Sequence, residues 1–388
     1  VWKIDKDNYE LISESSECDV ARIYRMTTLY LNMMPLQHEF KVMGLAPYAK
    51  SGYSKKVKSI LHELIEVKNL KVVYKNRPKN LYKYLEQNFQ YFRFDNIAQG
   101  LQDFVEEIVI ELFSNIYKKT KIKHFVYSGG LSMNVKANKI LTEKKFIKDL
   151  FVPGAPDDQG TCIGVCYELA RKFKKKSYPI NNYYLGYEII KPKFNFNKKS
   201  YTQLKDVSIN KIVNLLKKGD IVGRASGRME FGARALGNRS IFANPKTDGI
   251  INKINEAIKN RDFWMPFAGS TIPELSKKVI LNPKKINDNF MTIAFDTNKK
   301  YFNNFKNATH PYDQSIRIQV VSKIQNPWYH ELILKFYEST GIPVLLNTSL
   351  NLHGYPIVLD EKEAFDIFKL TTLDHILIGN NLFSKIVK

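Results

Sequence analysis

The stretch Gly227 to Ser240, GRMEFGARALGNRS, sets Arg228, Arg234 and Arg239 among Gly227, Gly232 and Gly237, with Glu230 between them. A guanidinium meets a phosphate or carboxylate with a planar fork of donors and does not lose its charge, and glycine lets backbone N–H groups approach an anion closely. Three arginines so punctuated suit a doubly charged ligand. Taken alone, an Arg-Gly segment of this kind reads as a surface ion-pair loop, so its context decides.

That context is basic and polar. Lys259 and Arg261 stand in IKNRDFWMPFAG, Arg317 in DQSIRIQVV, and Asn347, Ser349 and Asn351 in NTSLN. Each lies at the end of an expected strand or helix, where side chains of separate segments converge on a cleft. Asn and Ser supply amide and hydroxyl partners to a phosphate or carbonyl oxygen, although the same residues also make turns. Earlier in the chain, YSGGLSMNVKAN places Gly129 and Gly130 between a strand and a helix, the arrangement that seats a phosphate at a helix N-terminus. GAPDDQGTCIG repeats it, with Asp157 and Asp158 beside Gly160. An aspartate there can hold a divalent metal or cap the helix that follows.

The elements that position these residues follow from apolar periodicity. Residues 21–48 predict two helices about a proline turn, and residues 97–119 predict a long amphipathic helix. HFVYSGG then SMNVKANKILTEK, and DLFVPGAPDDQG then TCIGVCYELARKF, each read as strand, glycine turn and helix. KFKKKSYPINNYY loses periodicity and reads as a linker, which divides the chain into 1–176 and 177–388. Beyond it come a helix over 211–218, the strand DIVGRAS, the arginine loop, the helix IINKINEAI, strands MTIAF and SIRIQVV, the helix ELILKFYEST, the strand PVLLNTS, the helix EKEAFDIFKLT and the strand HILIG. The class is α/β in two domains.

With 388 residues and 44% hydrophobic content, the chain is long and apolar enough for two cores. It has no apolar run of membrane-spanning length and no signal-peptide pattern, and it reads as a soluble cytoplasmic protein. Cys18, Cys162 and Cys166 lack the partners of a zinc site and read as buried thiols. The net charge of +22 raises nucleic-acid binding. The lysines are scattered, however, and the dense run from Arg171 to Lys176 reads as a solvated helix end, so no nucleic-acid partner is expected.

Six ordered segments, HEFKVMGLAPYA, YSGGLSMNVKAN, PGAPDDQGTCIG, GRMEFGARALGNRS, IKNRDFWMPFA and NTSLNLHGYPIV, together resemble the O-carbamoyltransferases that decorate nodulation factors, antibiotics and sugars. The resemblance runs from about Gln37 to the C-terminus. It implies the C-terminal part of an actin-like domain, similar to tRNA-threonylcarbamoyltransferase, followed by a YrdC-like domain similar to threonylcarbamoyl-AMP synthase. It implies that carbamoyl phosphate and ATP, with Mg2+, form carbamoyl-adenylate in the second domain. The carbamoyl group then passes to an acceptor hydroxyl, such as that of a sugar, at an Fe2+ site in the first. Arg228, Arg234, Asn238, Arg239, Lys259, Arg261, Arg317, Ser349 and Asn351 match the adenylate-forming site. Gly129, Gly130, Asn134 and Gly160 match nucleotide-contacting loops, and Asp158 matches the iron-ligand aspartate.

Departures from the family pattern qualify this. Val1 opens into what reads as mid-domain sequence, and the paired histidines of the iron site are absent, so the chain is expected to lack the N-terminal half of the actin-like domain and to need it for transfer. Met265 stands where the family has arginine, Tyr355 where it has glutamate, and Pro311 where a histidine is common. A nucleotide- or carbamoyl phosphate-binding subunit without turnover is the alternative reading. No motif names the acceptor.

Overall fold

The computed structural model describes residues 1–6, 8–50, 52–190 and 194–386. They fall into two compact units, Val1–Val152 and Pro153–Lys388, each of helices and strands. The stretch 172–184, read as a linker, lies inside the second unit.

The first unit is built on the helix Phe94–Thr120, whose apolar residues recur at three and four residue intervals and are buried from Ile97 to Ile116. It ends where Lys121 turns left-handed at φ 59° and donates its N–H to the Tyr117 carbonyl. Helices Val20–Tyr30, Glu39–Leu45 and Ser54–His62 pack against it, as does Val135–Glu143. The strands His124–Val126 and Asp149–Phe151 pair in parallel, and the glycine turn and Val135–Glu143 helix lie between them in sequence. The helix Leu81–Phe89, packed on Val20–Tyr30, and two hairpins, Trp2–Asp5 with Asn8–Leu11 and Ile65–Lys68 with Lys71–Tyr74, also belong to the unit.

The second unit carries a nine-stranded mixed sheet. Across it the strands run Ala294–Phe295, Ile316–Val320, Ala268–Thr271, Leu345–Ser349, Arg239–Ala243, Val222–Ala225, His375–Ile378, Asn381–Lys385 and Tyr201–Leu204. Helices Ile209–Lys218 and Pro327–Thr340 cover one face, around Val222, Phe242 and Leu345. Ile250–Ile254 and Glu361–Leu370 cover the other, around Ile241, Leu346 and Ile376. Ile209–Lys218 shows how local sequence sets these boundaries. Ser208 caps its first turn, Gly219 ends it in the left-handed region, and Ile212, Val213, Leu215 and Leu216 bury one stripe.

Two expectations change. The arginine stretch is not loop throughout: Gly227–Glu230 is a strand paired with Tyr184–Ile189, and Arg239 opens a central strand of the sheet. The cysteines are all exposed rather than buried, two of them on the helix Thr161–Lys172 whose residues are solvent-facing. On that helix Arg171 pairs with Glu168 at 2.6 Å, the solvated helix end read from the charge run. No helix among the described residues is long and apolar enough to cross a membrane.

Candidate functional site

The predicted cations and amides of the second unit meet at one end of its sheet. The strand Leu345–Ser349 finishes there as Arg239–Ala243 begins, with Ser349 opposite Ser240 and Arg239 opposite Ala225. Ala268, the first residue of its strand, pairs with Asn347, and Arg317 lies second in the strand Ile316–Val320. The connections carrying Arg234, Lys259, Arg261 and Asn351 leave from this end. Lys259 closes a single π-turn, Asn255–Lys259, and Asn260 follows in the left-handed region at φ 42°, so the chain reverses between the two basic residues.

The arginine stretch is organised by its own acid. One oxygen of the buried Glu230 carboxylate, Oε1, accepts N–H groups from Leu236 at 2.8 Å, Asn238 at 2.7 Å and Arg239 at 3.1 Å. These backbone donors, expected to face a ligand anion, are therefore occupied from within. Gly227, Gly232 and Gly237 all take positive φ, and a Cβ on Gly237 would stand 2.4 Å from the Tyr329 ring. Arg239 is fully buried and its guanidinium is spent on carbonyls. Nη1 donates to Ser226, Gly227 and Asn238, Nη2 to Tyr187 and Leu359, and Nε to Leu359, at 3.0–3.3 Å. It ties three segments together and has no donor left for a ligand. Arg224, which sequence reasoning passed over, is buried beside it. Its Nη1 donates to the Gly237 carbonyl at 2.6 Å and to Asn238 Oδ1 at 2.5 Å, and its guanidinium lies 4.1 Å from the Trp328 ring centre. Burial draws Arg224 down to about 10, while Glu230 acts the other way on both Arg224 and Arg239.

A second set of cations lacks that compensation. Lys259 is 3% exposed, and its Nζ donates to Asn351 Oδ1 at 2.6 Å, Ser349 Oγ at 3.2 Å and the Asn351 carbonyl at 3.2 Å. Burial, then the nearby Arg261 guanidinium, push this ammonium well below its ordinary range. Arg261 donates to Thr348 Oγ1 at 2.9 Å and lies 4.7 Å from the Phe267 ring centre. Burial and then Arg234 bring Arg261 to about 10. Arg317 is pushed well down by burial, then by Arg234 and Arg261. Arg234 falls to about 10 through burial, with Asp157 acting in the opposite sense. The Nε atoms of Arg234 and Arg317 are, like that of Arg224, buried without a hydrogen-bond partner, as is Asn347 Oδ1, whose amide nitrogen donates to the Ala235 carbonyl at 3.0 Å. Burial leads in all four, and Arg234 and Arg261 lower their neighbours further; with the Arg234 and Arg317 donors left over, this is not a structural ion-pair network. A cluster of buried cations without a shared counter-charge is a candidate anion site.

The remaining predicted residues separate by their contacts. Arg228 is exposed and 3.8 Å from Glu188, a surface pair of small energetic weight. Asn238 is buried, accepting from Arg224 and Asn326 and donating to the Arg228 carbonyl, so its amide is committed inside the fold. Met265 sits in a turn, its N–H donating to Asp262, and Tyr355 is 65% exposed, its carbonyl accepting from Asn351. His310, next to Pro311, is buried with Nδ1 accepting the Tyr312 and Asp313 N–H groups. In the first unit Gly129 and Gly130 are exposed with open space around them. Asn134 is not open in that way: it caps the Val135–Glu143 helix and exchanges two hydrogen bonds with Gln102, at 2.9 and 3.0 Å. Gly160 is required by packing, since a Cβ there would meet the Ala155 carbonyl at 2.3 Å.

Asp158 is exposed, and among the described residues no group of three or more His, Cys, Asp or Glu is placed to hold a metal ion. The described residues therefore do not fit the iron centre that the resemblance implies, and no step is derived through iron. The residues that sequence reasoning missed are Arg224, Thr348 and Phe267. Only Arg224 carried a signal, as a charge inside the apolar strand DIVGRAS.

Comparison with known proteins identifies the chain's relatives. A family model described as carbamoyltransferase N-terminus matches residues 2–167, and one described as carbamoyltransferase C-terminus matches residues 213–385. The expectation that the first domain lacks the family's N-terminal part is thus not borne out. An uncharacterized protein of Methanocaldococcus jannaschii is 34% identical over 98% of this chain and 75% of its own length. The nodulation protein NolO of Bradyrhizobium diazoefficiens is 28% identical over 97% of this chain and 71% of its own. Among solved structures, full-length HypF in its phosphate- and nucleotide-bound form is 18% identical over 47% of this chain and 22% of its own, with a TM-score of 0.32, a likeness too slight to build on. With both of its halves matched in order and a relative of this identity along nearly its whole length, the chain belongs to the carbamoyltransferase family and is a transferase.

Proposed function

We propose that in the second unit water releases inorganic phosphate from carbamoyl phosphate, that the resulting carbamate attacks the α-phosphate of ATP with loss of pyrophosphate to give carbamoyl-adenylate, and that the carbamoyl group then passes to a hydroxyl of a sugar-containing or natural-product acceptor with release of AMP and the hydroxyl proton. The observation that carries this reading is the cluster of Arg234, Lys259, Arg261 and Arg317, buried cations among which Arg234 and Arg261 lower their neighbours and Asp157 opposes at Arg234. Adenylate formation brings a carbamate-type anion against the α-phosphate of ATP, and repulsion between these anions must be cancelled before a bond forms. Fixed guanidinium groups do this without gaining or losing protons. Orphaned Nε donors on Arg234 and Arg317 are available to phosphate oxygens, Asn347 holds the Ala235 carbonyl next to Arg234, and Ser349 and Asn351 hold the Lys259 ammonium. Arg239 and Asn238 enter as residues that hold the stretch in place, because their own polar groups are committed to the protein. ATP is taken to arrive as its Mg2+ complex.

The reading further assigns the first unit to an actin-like fold and the second to a YrdC-like fold, with the exposed Gly129–Gly130 turn as a nucleotide-contacting loop. Incubation with carbamoyl phosphate, ATP and Mg2+ is expected to release pyrophosphate. Binding of both substrates by calorimetry with no pyrophosphate under any metal would replace it with the second reading, a subunit that binds without turnover.

A further inference from the structure

The cations at the end of the sheet divide by what surrounds them. Arg224 Nη1 and the whole Arg239 guanidinium are donated to protein carbonyls and the Asn238 amide oxygen, Arg224 Nε lacking a partner, and both cations have Glu230 as counter-charge. Arg234, Lys259, Arg261 and Arg317 have no share in it. Arg234 nevertheless depends on Glu230 for its place. It sits between Gly232, where a Cβ would stand 3.0 Å from the Gly154 carbonyl, and the run Leu236, Asn238 and Arg239, whose three N–H groups converge on one oxygen of Glu230. The Ala235 carbonyl, next to Arg234, is held by Asn347 Nδ2 at 3.0 Å, and the Leu236 carbonyl by Gln319 Nε2 at 3.0 Å and by the Tyr184 hydroxyl at 2.7 Å.

We infer that Glu230 is a positioning residue for anion binding: as a built-in acceptor of the right length it folds residues 236–239 around its own Oε1 and so fixes Arg234 towards the anion site. This rests on the reading of that site given under Proposed function. A carboxylate accepting several backbone N–H groups is a strong and short-range organiser of a turn. Here it takes the donors that would otherwise compete for the ligand, so that recognition falls to side chains. A single oxygen makes all three bonds, whereas Oε2 is buried without a partner. Geometry and charge are therefore separable by substitution. Glu230→Gln keeps an oxygen within reach and loses the charge, whereas Glu230→Asp keeps the charge and loses the reach.

Calorimetric titration of the whole chain with inorganic pyrophosphate distinguishes them, with thermal unfolding followed in parallel to normalise for folded protein. Glu230→Asp is expected to weaken binding by about tenfold or more, the scale of one misplaced charge-assisted contact, while Glu230→Gln stays within about threefold of wild type. A Gln variant that loses as much affinity as the Asp variant, or an affinity that neither substitution changes, overturns the inference while the site stands. Failure of the wild-type chain to bind pyrophosphate overturns the site reading itself, and this inference with it.

Discussion

Replacing Arg317 by methionine separates a ligand-binding cation from a structural one by the sign of two effects. Arg317 is half-buried, its Nε has no partner, and its guanidinium is opposed by those of Arg234 and Arg261. Exchanging a buried ion for an apolar side chain of similar length is commonly neutral or stabilising by about 1–4 kcal/mol, and partial exposure points to the lower half of that range. A gain of about 1–2 kcal/mol raises the unfolding temperature of a unit of this size by about 2–8 °C. Loss of a charge-assisted hydrogen bond to the ligand costs about 1.5–3 kcal/mol, which weakens pyrophosphate or carbamoyl phosphate binding by about ten- to hundredfold. Calorimetry and thermal unfolding on the same preparation read both. Arg239→Met is the comparator: it leaves the carbonyls of Tyr187, Ser226, Gly227 and Leu359 without their donor and is expected to lose about 3–5 kcal/mol of stability. An Arg317→Met protein that melts earlier than wild type and still binds the anion with full affinity would refute the division of cations.

Lys259, held low by burial and Arg261, is expected to take up a proton when an anion binds, since the ligand's charge favours the ammonium. Binding enthalpies across the neutral to alkaline range, in buffers of different ionisation heat, should show this uptake, and Lys259→Met should abolish it; no buffer dependence in wild type anywhere in that range counts against it. Burial holds the Asp288 carboxyl up at about 7, against about 3.9 in an unfolded chain. The folded state then keeps a proton that the unfolded state has lost, so this group's contribution to stability is full below about pH 4 and declines as pH rises to about 7. Urea midpoints of Asp288→Asn and wild type should differ increasingly over that interval, the variant becoming relatively more stable by at most about 4 kcal/mol above pH 7; parallel profiles would refute it. Gly237→Ala places a Cβ 2.4 Å from the Tyr329 ring at φ 116° and is expected to cost about 2–4 kcal/mol by denaturant unfolding, a loss that a wild-type midpoint would contradict.

Much of the architecture was readable before any coordinate. Apolar residues at helical spacing delineate Phe94–Thr120, Pro327–Thr340 and Glu361–Leu370, because one face of each must leave water. Short or half-exposed pieces were not readable. Tyr201–Leu204 and Asn381–Lys385 are strands only because neighbouring backbone pairs with them, and MTIAF shrinks to Ala294–Phe295. The exposed cysteines of Thr161–Lys172 show the same limit, since periodicity indicates a helix and not what covers it.

For the site, the sequence by itself determined the family and the residue types: arginines, a lysine and short amides at the ends of elements, chemistry suited to a phosphate. Only the tertiary structure decided which of them have their donors taken up by the protein. Arg234 and Arg239 look alike in GRMEFGARALGNRS, five residues apart. One has a buried Nε with no partner and like charges around it, and the other is saturated by carbonyls of three segments. Glu230, which reads as a charge partner within the stretch, is instead the anion on which the backbone closes. The physical reason is that a guanidinium's availability depends on whether folding satisfies its donors, and those carbonyls come from Tyr187, Ser226 and Leu359, positions that no local spacing brings to Arg239.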